Sequence, residues 1–276
     1  MITGYIFRLV LIAVGVCLLN CIPDKSQNIK VAAATSMIGT IVKAIAKQKA
    51  DVAVIVPGGM CPGHFDIKPD DLVMLSGADL ILSHGYEEWV PALIQASENR
   101  HLIKETINIE ASWMLPGIHL QAAEKIAEIF IRIDMKNKRF YMQSLKKYEN
   151  DINTAVQNIQ MSIIDFKGQK AVCSRQQEPL LKWIGFDVIC AYGRTEEMSP
   201  RHMADIIKTA RHNRVKLVVD NKQSGENAGL QIAGEINAQH VVLTNFPLGD
   251  SYIDCLYENV QKLRRSLKII NETDTN

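Results

Sequence analysis

The chain has almost no excess of either charge. Its 31 Lys and Arg are set against 30 Asp and Glu, giving +1 at pH 7 over 276 residues. A nucleic-acid surface needs a clustered basic face, so that partner is not expected. The one basic patch, "QKLRRSLK" near the end, reads as a solvated helix face. Long hydrophobic runs are also missing. The uncharged run Leu9–Asn20 has about 12 residues, short for a spanning helix and right for the apolar region of a signal peptide. Cysteine is sparse. Beyond Cys21 only Cys61, Cys173, Cys190 and Cys255 remain. An even count in an exported chain permits disulfides, but Cys173 and Cys190 sit in apolar runs and read as buried thiols.

The apolar run ends in Leu18-Leu19-Asn20-Cys21, which resembles a lipobox with Asn20 where a small residue is usual. Residues 1–21 are therefore expected to form a signal peptide or lipoprotein anchor, with Cys21 the lipidation site. Cys17, or an uncleaved anchor, is the alternative. Residues 22–28, "IPDKSQN", read as a tether. The mature protein is expected outside the cytoplasmic membrane, periplasmic or at the cell surface, held to it by a lipid at one end.

Short apolar, β-branched runs alternate with helical stretches. One set is 29–34, 52–57, 78–83 and 105–111; the second is 170–174, 186–192, 215–220 and 240–245. Nearly continuous apolar strands between helices indicate parallel sheets covered on both faces. Ser36 is expected to cap a helix over 37–48, Ser199-Pro200 to open one over 200–213, and Gly185 to stop the helix before it. Between the sets, Leu145, Tyr148, Ile152, Val156, Ile159, Ile163 and Phe166 fall 3 or 4 apart. That spacing is one stripe on one long helix over 139–168, without proline and with no glycine before Gly168. The predicted fold class is α/β: two lobes of parallel sheet flanked by helices, joined by one long rigid interlobe helix. The expected organisation is an N-terminal lobe at 29–120, a helical connector at 121–168 and a C-terminal lobe at 169–276. Ligands in open α/β sheets bind beyond the carboxyl ends of the strands, here the cleft between the lobes.

Polar residues collect at those ends. They include the turn "PGGMCPGHFDIKPDD" (57–71), His84-Gly85-Tyr86, Arg175-Gln176-Gln177-Glu178, Asn221-Lys222-Gln223-Ser224 and Asn245-Phe246-Pro247. Cysteine and histidine bind soft or borderline metals. The three glycines of the turn let the backbone approach a ligand. Amides suit neutral or anionic ligands, and Arg175 suits a carboxylate or oxyanion.

From Ile29 to Leu267 the chain resembles the cluster A-I substrate-binding proteins of ABC transporters, the zinc/manganese-binding family. The resemblance rests on "VAAATSMIGTIVKAI", "VPGGMCPGHFDIKPDDLVMLSGADLILSHGYEEW", the long helix, and "LVVDNKQSGENAGLQIAGEINAQHVVLTNFPLGDSYIDCLYENV". It implies no catalysis and delivery of zinc or manganese to a membrane permease. The family's first histidine falls on Gly63, with His64 next. Its Pro-His-x-Trp motif meets Pro116–His119. Its third ligand falls near Ser174–Glu178, and its final Asp falls on Asn245, with Asp250 nearby. There is no His-rich acidic loop. The candidate metal ligands are His64, His119, Glu178 and Cys61. The candidate polar cleft residues are His84, Arg175, Gln177, Asn221, Gln223, Asn245 and Asp250. A metal chelate or organic anion on the same scaffold is the alternative cargo. A tethered enzyme using Cys61 and His64 as a thiolate–imidazole pair is a further alternative.

Overall fold

A computed structural model describes residues 28–274, so the expected anchor and Cys21 lie outside the described residues. Two four-stranded parallel sheets make two lobes. The first is ordered β2-β1-β3-β4, from β1 (Ile29–Thr35), β2 (Ala50–Val56), β3 (Leu80–Ser83) and β4 (Ile103–Thr106). The second is ordered β6-β5-β7-β8, from β5 (Lys170–Ser174), β6 (Asp187–Tyr192), β7 (Leu217–Asn221) and β8 (Gln239–Leu243). The intervening helices are α1 (Ser36–Ala46), α2 (Pro69–Ser76), α3 (Val90–Ala96), α4 (Pro116–Ile133), α5 (Lys138–Ser162), α6 (Glu178–Ile184), α7 (Pro200–His212), α8 (Asn227–Ile236) and α9 (Tyr252–Asp274). Among the described residues no helix is long and apolar enough to cross a membrane.

Local signals act much as the sequence suggests. Ser199 caps α7 by accepting from His202 N, with Pro200 beside it. Gly185 ends α6 at φ 108°, a left-handed conformation that favours glycine. Three expectations need correction. The cap of α1 is Thr35, whose hydroxyl accepts from Ile38 N; Ser36 is the first helical residue. β4 lies at 103–106 because it pairs Leu80↔Ile103 through Ser83↔Thr106, after which the chain turns toward the other lobe. The long helix ends at Ser162, where Ile163 leaves helical geometry (φ −108°, ψ 14°) and a 3-10 turn follows.

The rigidity of the pair comes from one continuous core. Alternation along β5 sends Ala171 and Cys173 to one face and Val172 to the other. The first face joins the lobe-one residues Ala32, Ile38 and Leu80 in a single cluster, through Ile152, Ile159, Ile163 and Phe166 of the connector. Val172 lies in a smaller cluster with Tyr192, Val218 and Ile232 on the far face of sheet two. The predicted stripe is thus the seam between lobes: Ile159 is fully buried and Ile152 nearly so.

Candidate binding cleft

The carboxyl ends of all eight strands open into one cleft of about 590 Å³. β1 contributes Met37, β2 leads to Cys61–Gly63, β3 to His84 and Tyr86, and β4 to Ile109–Met114. From lobe two come Gln176, Arg194, Asn221, Gln223, Asn245 and Phe246. This is the place where a parallel α/β sheet binds its ligand, doubled by the second lobe.

The 57–71 turn is held from beneath. Pro62 is buried and opens a 3-10 turn, Pro62–His64. The Trp89 indole donates to the Pro62 carbonyl at 2.8 Å, and the Phe65 ring packs on Trp89 with centroids 5.0 Å apart. The turn presents Cys61 and His64 together, Sγ to Nδ1 at 3.6 Å. Arg194 reaches them from lobe two, its Nη1 donating to His64 Nδ1 at 2.7 Å and its Nη2 to Cys61 Sγ at 2.8 Å. Burial pushes the Cys61 thiol up, but its side-chain contact with His64, the hydrogen bonds from Arg194 and the Gly63 backbone, and the Arg194 charge outweigh it and hold the thiol below its ordinary value. Cys173 is a contrast: burial, the largest effect, pushes its thiol far up. Among the described residues Cys61 is the one thiol held below its ordinary value; burial raises Cys173, Cys190 and Cys255.

The neighbouring wall is aromatic. The His84 ring lies 4.2 Å from Trp113 and 5.0 Å from Tyr86 between centroids. His84 Nδ1 donates to Glu87 at 2.7 Å, and Glu87 also accepts from the backbone N–H groups of His84 and Gly85. Burial alone would raise the Glu87 carboxyl; the bonds from His84 more than reverse it and leave it low.

The lobe-two floor is a network of amides in which one buried acceptor, Gln177 Oε1, is left without a partner among the described residues. Gln177 Nε2 donates to Asn221 Oδ1 at 2.9 Å and Asn245 Oδ1 at 3.0 Å. Asn245 Nδ2 donates to the Gln176 carbonyl at 3.1 Å. Asn221 Nδ2 donates to Ser224 at 2.8 Å. Gln223 accepts from Asn245 N and donates to Thr244 and across the cleft to the Gly58 carbonyl. These amides fix one another, so they shape the cleft floor more than they offer free donors.

The candidate metal ligands do not converge as one set. Cys61 and His64 meet. His119 does not reach the cleft: it is fully buried, stacked 3.6 Å from the Tyr252 ring and hydrogen-bonded through Nε2 to the Tyr148 hydroxyl at 2.7 Å. Burial, opposed by a Trp113 backbone contact, lowers its pKa to about 3. Glu178 pairs with Lys182 at 2.7 Å on the first turn of α6 and does not line the cleft. Arg175 is exposed, and Asp250 pairs with Lys43 at 2.6 Å on the surface. Among the described residues no three His, Cys, Asp or Glu side chains are placed to hold a metal ion. The Pro-His-x-Trp motif also fits the cleft better at 110–113 than at 116–119. There Trp113 keeps the tryptophan, and Ala111 stands where the histidine would. The functional residue that sequence reasoning missed is Arg194. Its signal was available, since it follows the carboxyl end of β6 as directly as the other cleft residues follow theirs.

The model of the family described as zinc-uptake complex component A, periplasmic (ZnuA), matches residues 31–266. The manganese ABC transporter substrate-binding lipoprotein PsaA of Streptococcus anginosus is 24% identical over 302 residues, covering 94% of this chain and 97% of that protein. The iron ABC transporter substrate-binding lipoprotein MtsA of Streptococcus pyogenes serotype M1 is 25% identical, covering 88% and 90%. Among solved structures, a zinc-bound ZnuA deletion mutant superposes with TM-score 0.74 at 21% identity over 87% of this chain and 98% of that one. A periplasmic metal-binding protein from Candidatus Liberibacter asiaticus gives 0.73 at 22%, covering 87% and 100%. At these identities the structural likeness is one of fold. With the family model spanning most of its length, the chain belongs to the ZnuA family of ABC-transporter metal substrate-binding proteins, which bind and carry rather than catalyse.

Proposed function

We propose that this chain captures a divalent metal ion outside the cytoplasmic membrane, as a complex with a small anionic chelator, and delivers it to an ABC permease. Cys21 lipidation would hold it at the membrane. The carrying observation is the pair Cys61 Sγ and His64 Nδ1, 3.6 Å apart, with no third metal-binding side chain beside them among the described residues. Zinc-type ions take about four donors, so two must come with the cargo. The roughly 590 Å³ cleft is far larger than an ion needs, and Tyr86, Trp113 and Phe246 offer apolar faces for an organic part. The test is elemental analysis joined to native mass spectrometry of protein purified without chelators. The expected result is one metal per chain together with an additional small-molecule mass. A metal with no added mass would mean capture of the bare ion.

One observation favours a second reading, a metal-free organic anion: Arg194 places a guanidinium in the cleft, suited to a carboxylate. A bound organic mass without metal in the same spectra would select it.

A further inference from the structure

We propose that Arg194 is a displaceable plug of the Cys61–His64 pair: its guanidinium occupies the place the metal takes, and cargo enters by expelling it. The inference rests on the metal reading above and names the residue that controls access to that site. Three observations carry it.

First, the two donors are spaced for a metal. An ion bonded at about 2.3 Å to sulfur and about 2.0 Å to nitrogen would see atoms 3.6 Å apart at about 110°, the angle of a tetrahedral site. Second, one cation already satisfies both. Nη1 donates to Nδ1 at 2.7 Å and Nη2 to Sγ at 2.8 Å. A donor N–H on each side requires that both atoms present lone pairs, which are the lone pairs a metal would use. Guanidinium and metal ion therefore compete for the same electrons in the same place, and their like charges exclude joint occupancy. Third, an expelled Arg194 has somewhere to go. Glu196 Oε1 lies 3.9 Å from Nη1, and Glu196 is exposed, with Glu197 already bonded to the Arg194 backbone. Because Arg194 belongs to lobe two and the pair to lobe one, the plug also ties the lobes together when no cargo is present.

Cadmium ion alone, added to the full chain, tests this; the probe is followed by its thiolate charge-transfer absorption in the ultraviolet. Removing a competitor relieves a standing penalty on affinity. Arg194→Ala and Arg194→Gln should each tighten cadmium binding at least about tenfold, and Cys61→Ser should abolish the absorption in every background. Arg194→Gln keeps the side chain's bulk, so it serves if the alanine variant misfolds, with circular dichroism checking both. If the parent binds cadmium and neither Arg194 variant binds it more tightly, the plug is refuted and the two-donor site stands. If neither the parent nor the variants bind cadmium through Cys61, the pair is no site for a bare ion and the plug is refuted, while the elemental and mass analysis above still decides the chelate reading.

Discussion

Gly58 and Pro247 meet across the cleft so closely that a Cβ on Gly58 would lie 2.0 Å from the Pro247 carbonyl oxygen and 2.7 Å from its carbonyl carbon. Gln223 Nε2 donates to the Gly58 carbonyl at the same point. Lobe one can touch lobe two here only because residue 58 has no side chain.

Gly58→Ala is therefore predicted to hold the lobes apart at the cleft, away from the continuous core that joins them. Cargo affinity should fall at least about tenfold, as expected when the closed state becomes the minor one, while the thermal transition moves little. Small-angle scattering should show a larger radius of gyration than the parent. Unchanged affinity and an unchanged profile would show that this contact does not set closure.

His119 predicts a pH dependence of stability. Its pKa is about 3 in the fold and about 6.5 when exposed. Below 6.5 the unfolded chain takes up a proton that the folded chain refuses, so unfolding is favoured as pH falls. The stability lost should accumulate between about pH 6.5 and pH 3, at up to about 1.4 kcal/mol per pH unit. His119→Phe keeps a ring on Tyr252 and removes the proton. Denaturant titrations across that range should show a flatter slope in the variant; equal slopes would contradict the account.

Much of the fold was legible in the sequence, and the reason is local. Strands such as 170–174 are short apolar runs bounded by glycine and polar residues, and the stripe from Leu145 to Phe166 has one period. The α1 cap and β4 were misplaced because local signals mislead: Thr35 and Ser36 both cap well, and the more apolar Ile107 and Ile109 lie just beyond the strand, whose own residues include Lys104 and Glu105. The site was legible only in part. Cys61 and His64 share one turn, so their meeting is a short-range fact. Arg194 reaches them from 130 residues away, and His119 is withdrawn by Tyr148 and Tyr252 from distant helices. The place of Arg194 after β6 was readable, but its partners, like those of His119, have no local signature.

Gly229 of α8 lies against the buried Asp220 and Tyr192 of lobe two, which the half-buried His240 joins. Tyr192 donates to Asp220 at 2.7 Å, and His240 does so at 2.8 Å. A Cβ at 229 would fall 2.1 Å from Asp220 Oδ2 and 2.3 Å from the Tyr192 hydroxyl. Gly229→Ala should destabilise the protein by about 1–3 kcal/mol, the usual cost of overpacking. Chemical denaturation checks this, and a neutral result would mean that the helix shifts freely.

The connector predicts small closure. Its apolar stripe lies within the continuous core, so the lobes are expected to tilt by shear rather than swing on a hinge. Scattering profiles of free and cargo-loaded parent should nearly superimpose, and a change of several ångströms in radius of gyration would refute the brace. Ile159→Ala, at a fully buried position on the seam, should cost about 2–5 kcal/mol.

The most direct measurement of the central claim is X-ray absorption at the metal edge of the protein as isolated. A cargo held by Cys61 and His64 predicts one sulfur neighbour at about 2.3 Å and nitrogen or oxygen neighbours at about 2.0 Å, with the sulfur lost in Cys61→Ser and affinity down about tenfold or more in His64→Ala. A shell of nitrogen and oxygen alone in the parent, or a sulfur shell unchanged in Cys61→Ser, would contradict the account.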